Sequence, residues 1–236
     1  MTFDVEQAAL EFAQEVQEVL DGVLPVPTSV PPDDRIVQAG TLDGIRYRVQ
    51  PTGRNGQVVL AKDDQPIAHL RVTFQCTADA HGAYLAVERC DIGLYSGVDG
   101  RLPIVRLDFR RDMYSAPSCH WNVHAESGQA TRILTLGNPE HSGVFSKLHF
   151  PVGGPRMRPC LEDFLEFVLR EFGVDRLPGG PDVIADGRER WRRRQIGTSV
   201  RDAPDEAVRV LRQLGYTVTD PESGPNAGTP GKLRVW

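Results

Sequence analysis

Between Ile45 and Phe150 apolar and polar residues alternate in short runs, separated by clusters of Gly, Pro, Asn and Asp. That is the period-2 signature of half-buried strands joined by turns. Runs of this kind cover Ile45–Val49, Gln57–Ala61, Ile67–Cys76, Tyr84–Glu88, Ile92–Tyr95, Leu102–Arg110, His120–Glu126, Thr131–Leu136 and Lys147–Phe150. In Leu102–Arg110, Val105, Leu107 and Phe109 make one face and Arg106, Asp108 and Arg110 the other. In the following run His120, Asn122 and His124 share a face, with Cys119, Trp121 and Val123 opposite. Consecutive strands with short connections pair antiparallel, and such a sheet leaves one face free to meet solvent.

The period changes to 3.6 on either side of this block. Near the N-terminus Val5, Ala8, Ala9, Phe12, Val16, Val19 and Leu20 follow helical spacing; Asp4 stands as the cap, Gln7 as its capping-box partner, Phe3 as a staple and Gly22 as the stop. The opposite face carries Glu6, Glu11, Glu15 and Glu18. Pro25, Pro27, Pro31 and Pro32 then form a stiff connector. After the sheet, Leu161, Phe164, Leu165, Val168, Leu169 and Phe172 form an apolar stripe that ends at Gly173. Arg188–Val200 predicts a further helix, and Asp202 caps another in which Val208, Leu211 and Leu214 face inward. Tyr216–Val218 reads as a last short strand.

These elements predict an α+β fold: a curved antiparallel sheet of about six to eight strands, covered by the Leu161–Phe172 helix, with helical additions at both termini. The expected division is an acidic amphipathic helix over 1–24, the sheet and its covering helix over 33–173, a helical extension over 181–220 and a flexible tail over 221–236.

Composition narrows the class. The chain is 236 residues long, 40% hydrophobic and 25% charged, enough to bury a core. No apolar run approaches the length that spans a bilayer, and the acidic N-terminus does not resemble a signal peptide, so no membrane partner and a cytoplasmic location are expected. Cys76, Cys90, Cys119 and Cys160 form no CxxC pair and read as buried, reduced thiols. The net charge of −5 argues against a whole surface built for duplex nucleic acid, but leaves room for a local basic patch.

Candidate chemistry concentrates on the polar side of the two central strands. His120 and His124 are expected to be near neighbours there. If Leu102–Arg110 is the adjacent strand in matching register, Asp108 and Arg106 join them. An imidazole oriented by a carboxylate can do general acid–base work, and an arginine beside it can hold an anion. His120, His124, Asp108 and Arg106 are therefore the candidate catalytic set, with Arg110 as an anion contact and His149 as a further neighbour. The competing reading is a passive solvated face. His120, His124, Asp108 and His149 are ligand types for zinc or iron, but no HExxH or other defined spacing is present and no metal is assigned.

The most basic segment is Arg188–Arg194. Arg190 and Arg194 share a helix face and could hold nucleic-acid backbone, with Trp191 stacking on a base. The favoured alternative anchors Trp191 in the core and pairs the arginines with Glu189, Asp186 or the acidic first helix. Gly153-Gly154, beside Arg156 and Arg158, lacks both GxGxxG and GxxxxGK[ST] and reads as a turn; no GxSxG occurs. The cofactor, if any, is unknown from these motifs.

The run Leu148-His-Phe-Pro-Val-Gly-Gly-Pro-Arg-Met-Arg-Pro-Cys-Leu-Glu-Asp-Phe-Leu-Glu-Phe, with Gly187-Arg-Glu-Arg-Trp-Arg-Arg after it, resembles actinobacterial hypothetical proteins over roughly the second half of the chain. That resemblance implies no activity. A looser likeness of pattern is to TumE-type bacterial toxins, with a histidine-bearing sheet followed by a helix; the long N-terminal region and added C-terminal helices depart from it. Two functions are expected to compete. One is a nucleic-acid- or nucleotide-directed component of a toxin or defence system, with RNA or a phosphorylated ligand as partner. The other is a non-catalytic module that meets a protein partner through the polar sheet face or the acidic helix.

Overall fold

The alternating runs assemble into one antiparallel sheet of eight strands in the computed structural model, which describes residues 3–96, 100–113, 116–125, 144, 150–152 and 158–234. In chain order they are β1 (Val37–Thr41), β2 (Tyr47–Pro51), β3 (Gln57–Lys62), β4 (Gln65–Ala78), β5 (Leu85–Ser96), β6 (Leu102–Arg110), β7 (Cys119–Val123) and β8 (Phe150–Pro151). Their order across the sheet is β1-β2-β4-β5-β6-β7-β8, and β3 also pairs with β4. The 14-residue β4 is long enough to take β3 alongside its first half and β2 alongside Phe74–Cys76. Register shifts at Leu60/Ala61, Gln75/Cys76 and Leu94/Tyr95 mark bulges, which bend strands and increase local twist.

Several predicted boundaries move. Tyr84–Glu88 and Ile92–Tyr95 form a single strand through Cys90. Its neighbours β4 and β6 supply ladder partners along most of its length, so one irregular residue does not interrupt it. Strand β1 had no clear alternation and exists through its pairing with β2. Tyr216–Val218 is not a strand. The predicted strand Thr131–Leu136, most of Lys147–Phe150, His149, and the Gly153-Gly154 turn with Arg156 lie outside the described residues.

Among the described residues four α-helices flank the sheet: α1 (Val5–Val23), α2 (Leu161–Phe172), α3 (Gly180–Asp202) and α4 (Pro204–Gln213). The Asp4 side chain caps α1 by accepting the Gln7 N–H at 3.0 Å. Gly173, at φ +64°, ends α2 in the left-handed conformation that glycine adopts without strain. Both helices feed the core formed by Leu70, Val72, Phe74, Ile92, Leu94, Val105, Leu107 and Phe109 of the sheet. The Phe12 ring meets Phe74 edge-on at 5.0 Å, and Phe164 stacks on Trp121 at 5.4 Å. The N-terminal helix thus shares one core with the sheet and α2.

Helix α3 closes over α1 and α2. Gly22 does not stop α1, which runs on to Val23. Its role is close approach, since a Cβ there would lie 2.8 Å from the Val183 side chain of α3. Asp202 is not the cap of α4 but the buried last residue of α3, and its carboxylate and carbonyl both accept from Thr229. In α4 the expected inward face is wrong: Leu211 and Leu214 are 38% and 69% exposed. An amphipathic stripe is buried only where a partner surface exists, and α4 packs chiefly along α3, beyond the edge of the core.

Replacing a fully enclosed ring should expose how much the core depends on α2. Phe164→Ala is expected to cost ~3–5 kcal/mol in chemical denaturation, whereas Phe172→Ala, at a 42% exposed position, should cost much less. Equal losses would mean that α2 does not seat as described.

Candidate functional site

The face of the sheet turned away from this core is polar, and register assigns its side chains to rows. Thr73, Asp91, Asp108 and His120 lie opposite one another across β4, β5, β6 and β7. One row along, Arg71, Gly93, Arg106 and Asn122 do the same. The His124 N–H continues the ladder to the Ile104 carbonyl at 2.9 Å, so His124 stands diagonal to Arg106 on the same side. The four candidate catalytic residues therefore share a face.

They do not form one tight cluster. Four residues of extended chain separate His120 from His124, ~13 Å at the usual rise. The expectation of near-neighbour histidines fails on that arithmetic, and Asn122 stands between them. Arg106 is the centre instead, with Asn122 opposite it, Asp108 two residues along its own strand and His124 on the far diagonal.

The carboxylate ties these groups together. Asp108 Oδ2 accepts from Asn122 Nδ2 at 2.7 Å and lies 3.3 Å from Arg106 Nη2. Its other oxygen, Oδ1, is buried with no hydrogen-bond partner among the described residues, as are His124 Nε2 and Arg106 Nε. Burial pushes the Asp108 carboxyl above its ordinary range; the nearby Asp91 adds to the shift, and Arg106 opposes it. His124 moves the other way, with burial and the Arg106 charge favouring its neutral form. His120 is 2% exposed, and its Nδ1 lies 2.7 Å from the Pro117 carbonyl. A carbonyl can only accept, so Nδ1 carries the proton in this contact.

Residues not singled out from the sequence shape the row beside Arg106. A Cβ on Gly93 would fall 2.8 Å from the Tyr95 ring and 3.1 Å from Arg106 Cγ, so the missing side chain lets both cross the strand there. Arg71 donates to the Tyr95 hydroxyl at 2.9 Å and lies over that ring at 4.4 Å. Arg89 grips Asp91 through two hydrogen bonds, at 2.7 and 3.1 Å. Arg48, Arg71, Arg89, Arg106 and Arg110 occupy this side against Asp91 and Asp108, giving it a basic character that the chain's total charge conceals. Alternation could place each on a polar face, but only register puts them together.

The other predicted anion contacts divide. Arg110 is exposed at the end of β6, 3.8 Å from the Asp112 carboxylate. Arg194 makes a two-pronged contact with Glu15 of α1, at 2.6 and 2.7 Å, and Arg190 approaches the same carboxylate at 3.9 Å. Arg188 binds Asp163 and Glu166 of α2. Trp191 packs against the core, and the Arg158 guanidinium lies over both Phe109 and Trp191. The basic helix therefore docks on the acidic side chains of its own chain, through the alternative pairing weighed above. All four cysteines are buried and free, and burial pushes Cys76 and Cys119 up to about 12, leaving them protonated and poor nucleophiles.

Among the described residues no three His, Cys, Asp or Glu side chains converge to hold a metal, and no helix is long and apolar enough to cross a membrane. No protein-family model, curated protein or solved structure matches the chain. The case for function therefore rests on the geometry of this face.

Two measurements follow. A carboxyl with a raised folded-state pKa lends stability in its protonated form, which is lost as pH rises from the unfolded value through the folded one. Asp108→Asn should flatten that decline in melting temperature over the acidic range, while the parent loses stability there; parallel curves would show that Asp108 titrates normally. Arg194→Ala should lower stability by ~1 kcal/mol or less, as for a largely solvated ion pair, and leave RNA affinity unchanged. A salt-sensitive drop in RNA binding would return α3 to the binding surface.

Proposed function

We propose that this protein acts on a phosphorylated ligand, a nucleotide or nucleic acid, at the polar face of the sheet. The observation that carries this reading is the Arg106 neighbourhood: a guanidinium flanked by an imidazole held neutral and a carboxyl held protonated more readily than usual. Arg106 supplies charge to a phosphate oxygen. His124, neutral near physiological pH, accepts a proton from an attacking hydroxyl or water. Asp108, raised by burial, delivers one to a departing oxygen. Asn122 fixes Asp108 Oδ2, and Oδ1, which has no hydrogen-bond partner among the described residues, is the oxygen left to exchange a proton. His120 sits behind this set and orients the Asp108 row rather than touching the ligand.

The basic character of the face supports an anionic ligand, and the pairing of Arg190 and Arg194 with Glu15 removes the second basic surface that a long nucleic-acid track would use. The reading of α1 as a docking surface for a basic protein partner loses Glu15 to α3 for the same reason.

Turnover of short RNA and of nucleoside phosphates tests this directly. His124→Ala and Asp108→Asn should each reduce the rate ~10²-fold or more, the usual range for one acid–base group. Arg106→Ala should weaken binding at least tenfold, equivalent to ~1.4 kcal/mol. His124→Ala should leave the melting temperature nearly unchanged. Absence of any binding or turnover in the parent, or variants that lose activity only by unfolding, would refute the proposal.

A further inference from the structure

The row through Asp108 carries a second carboxylate. Asp91 of β5 stands directly opposite Asp108 of β6, with Thr73 beyond it on β4 and His120 beyond Asp108 on β7. Directly opposed residues bring their Cβ atoms to roughly 5 Å, and two like charges so placed repel. The structure resolves this conflict on one side only. Asp91 gives both oxygens to the Arg89 guanidinium, at 2.7 and 3.1 Å, and is the anionic half of an ion pair. Asp108 has Asn122 and Arg106 on Oδ2, at 2.7 and 3.3 Å, and no hydrogen-bond partner among the described residues on Oδ1. Its side chain is also the less accessible, 15% against 24% for Asp91. Two adjacent carboxyl groups in unequal surroundings divide into a charged member and a protonated one. Here the clamp by Arg89 decides which is which.

Among the described residues, Asp108 is faced by Arg89, Asp91 and Tyr95 from β5, by Arg106 and Arg110 along its own strand, and by His120 and His124 from β7. Asp91 is the only other carboxylate in that set. We propose that Asp91 is a positioning residue of this site: clamped by Arg89, its charge keeps the proton on Asp108 and so leaves Arg106 open to an incoming anion, an inference that rests on the phosphate reading of this face. The second half follows from the short approach of Asp108 to Arg106. An ionised Asp108, 3.3 Å from the guanidinium, would neutralise the charge that an anionic ligand needs, whereas a protonated one does not. A proton on Asp108 and an anion on Arg106 therefore favour each other, and the coupling is reciprocal. Burial of Asp108 acts in the same direction as Asp91, and Arg106 acts against both.

Carbon-13 NMR titration of the aspartate carboxyls in the full chain tests the role of Asp91 without any ligand. Asp91→Asn should lower the titration midpoint of Asp108 by roughly half a pH unit or more, and Arg89→Gln should raise it by a similar amount. A loosened sheet would move both variants the same way, so the opposed signs are the signature. A midpoint that neither variant moves, or that both move in one direction, overturns the role of Asp91. Calorimetric titration with sulfate, an anion that does not itself titrate in this range, reads the coupling. Sulfate should bind roughly tenfold more weakly once Asp108 is ionised. The pH of that fall should follow the Asp108 midpoint, down in Asp91→Asn and up in Arg89→Gln. Sulfate binding that depends on Arg106 but not on the ionisation of Asp108 overturns the coupling. Absence of sulfate binding at every pH overturns the coupling together with the phosphate reading, while opposed midpoint shifts would still uphold the role of Asp91.

Discussion

One slip of register would turn this protein inside out. Side chains alternate across each strand, so Val105, Leu107 and Phe109 are committed to the core only if Arg106, Asp108 and Arg110 stand on the other side. The same holds for Cys119 and Trp121 against His120 and Asn122. The stacking of Phe164 on Trp121, and the packing of Phe12 on Phe74, therefore do more than fill volume. By holding the apolar half of each strand, they determine which polar residues meet across β4 to β7. The Arg106–Asn122 and Asp108–His120 pairs are consequences of what is buried behind them.

The helical layer spends much of the chain's charge on itself. Glu15 takes Arg194 and Arg190, and Asp163 and Glu166 take Arg188, so the most basic run in the chain binds the helices it covers. Gly22 makes this possible by letting α3 approach α1 closely enough for long side chains to reach. Exposed pairs of this kind contribute little each to stability. Their effect is orientational: they set α3 across α1 and α2 on the apolar side of the sheet.

The same economy appears within the polar face. Arg89 is matched to Asp91 and Arg71 to Tyr95, whereas Asp108 keeps a buried oxygen and His124 a buried nitrogen with no partner among the described residues. A buried polar atom left unmatched lowers stability. Such atoms persist where another requirement maintains them, and here they sit on either side of one guanidinium. Their opposed shifts, a carboxyl moved up and an imidazole moved down, have a common origin in burial, because desolvation favours whichever form is neutral.

Local pattern was enough to determine the α+β class, the face on which Arg106, Asp108, His120 and His124 lie, the cap at Asp4 and the stop at Gly173. All of these depend on residues close in sequence, through a period of 2 or 3.6 or a single turn. What the sequence could not determine depended on distant partners. β1 exists because β2 pairs with it, Gly22 is a notch because Val183 lies against it, and Leu214 is exposed because α4 reaches no core. Arg71, Gly93 and Tyr95 joined this face of the sheet for the same reason. Alternation names the face of each residue; only the register of neighbouring strands and the packing behind them decide which residues on that face touch.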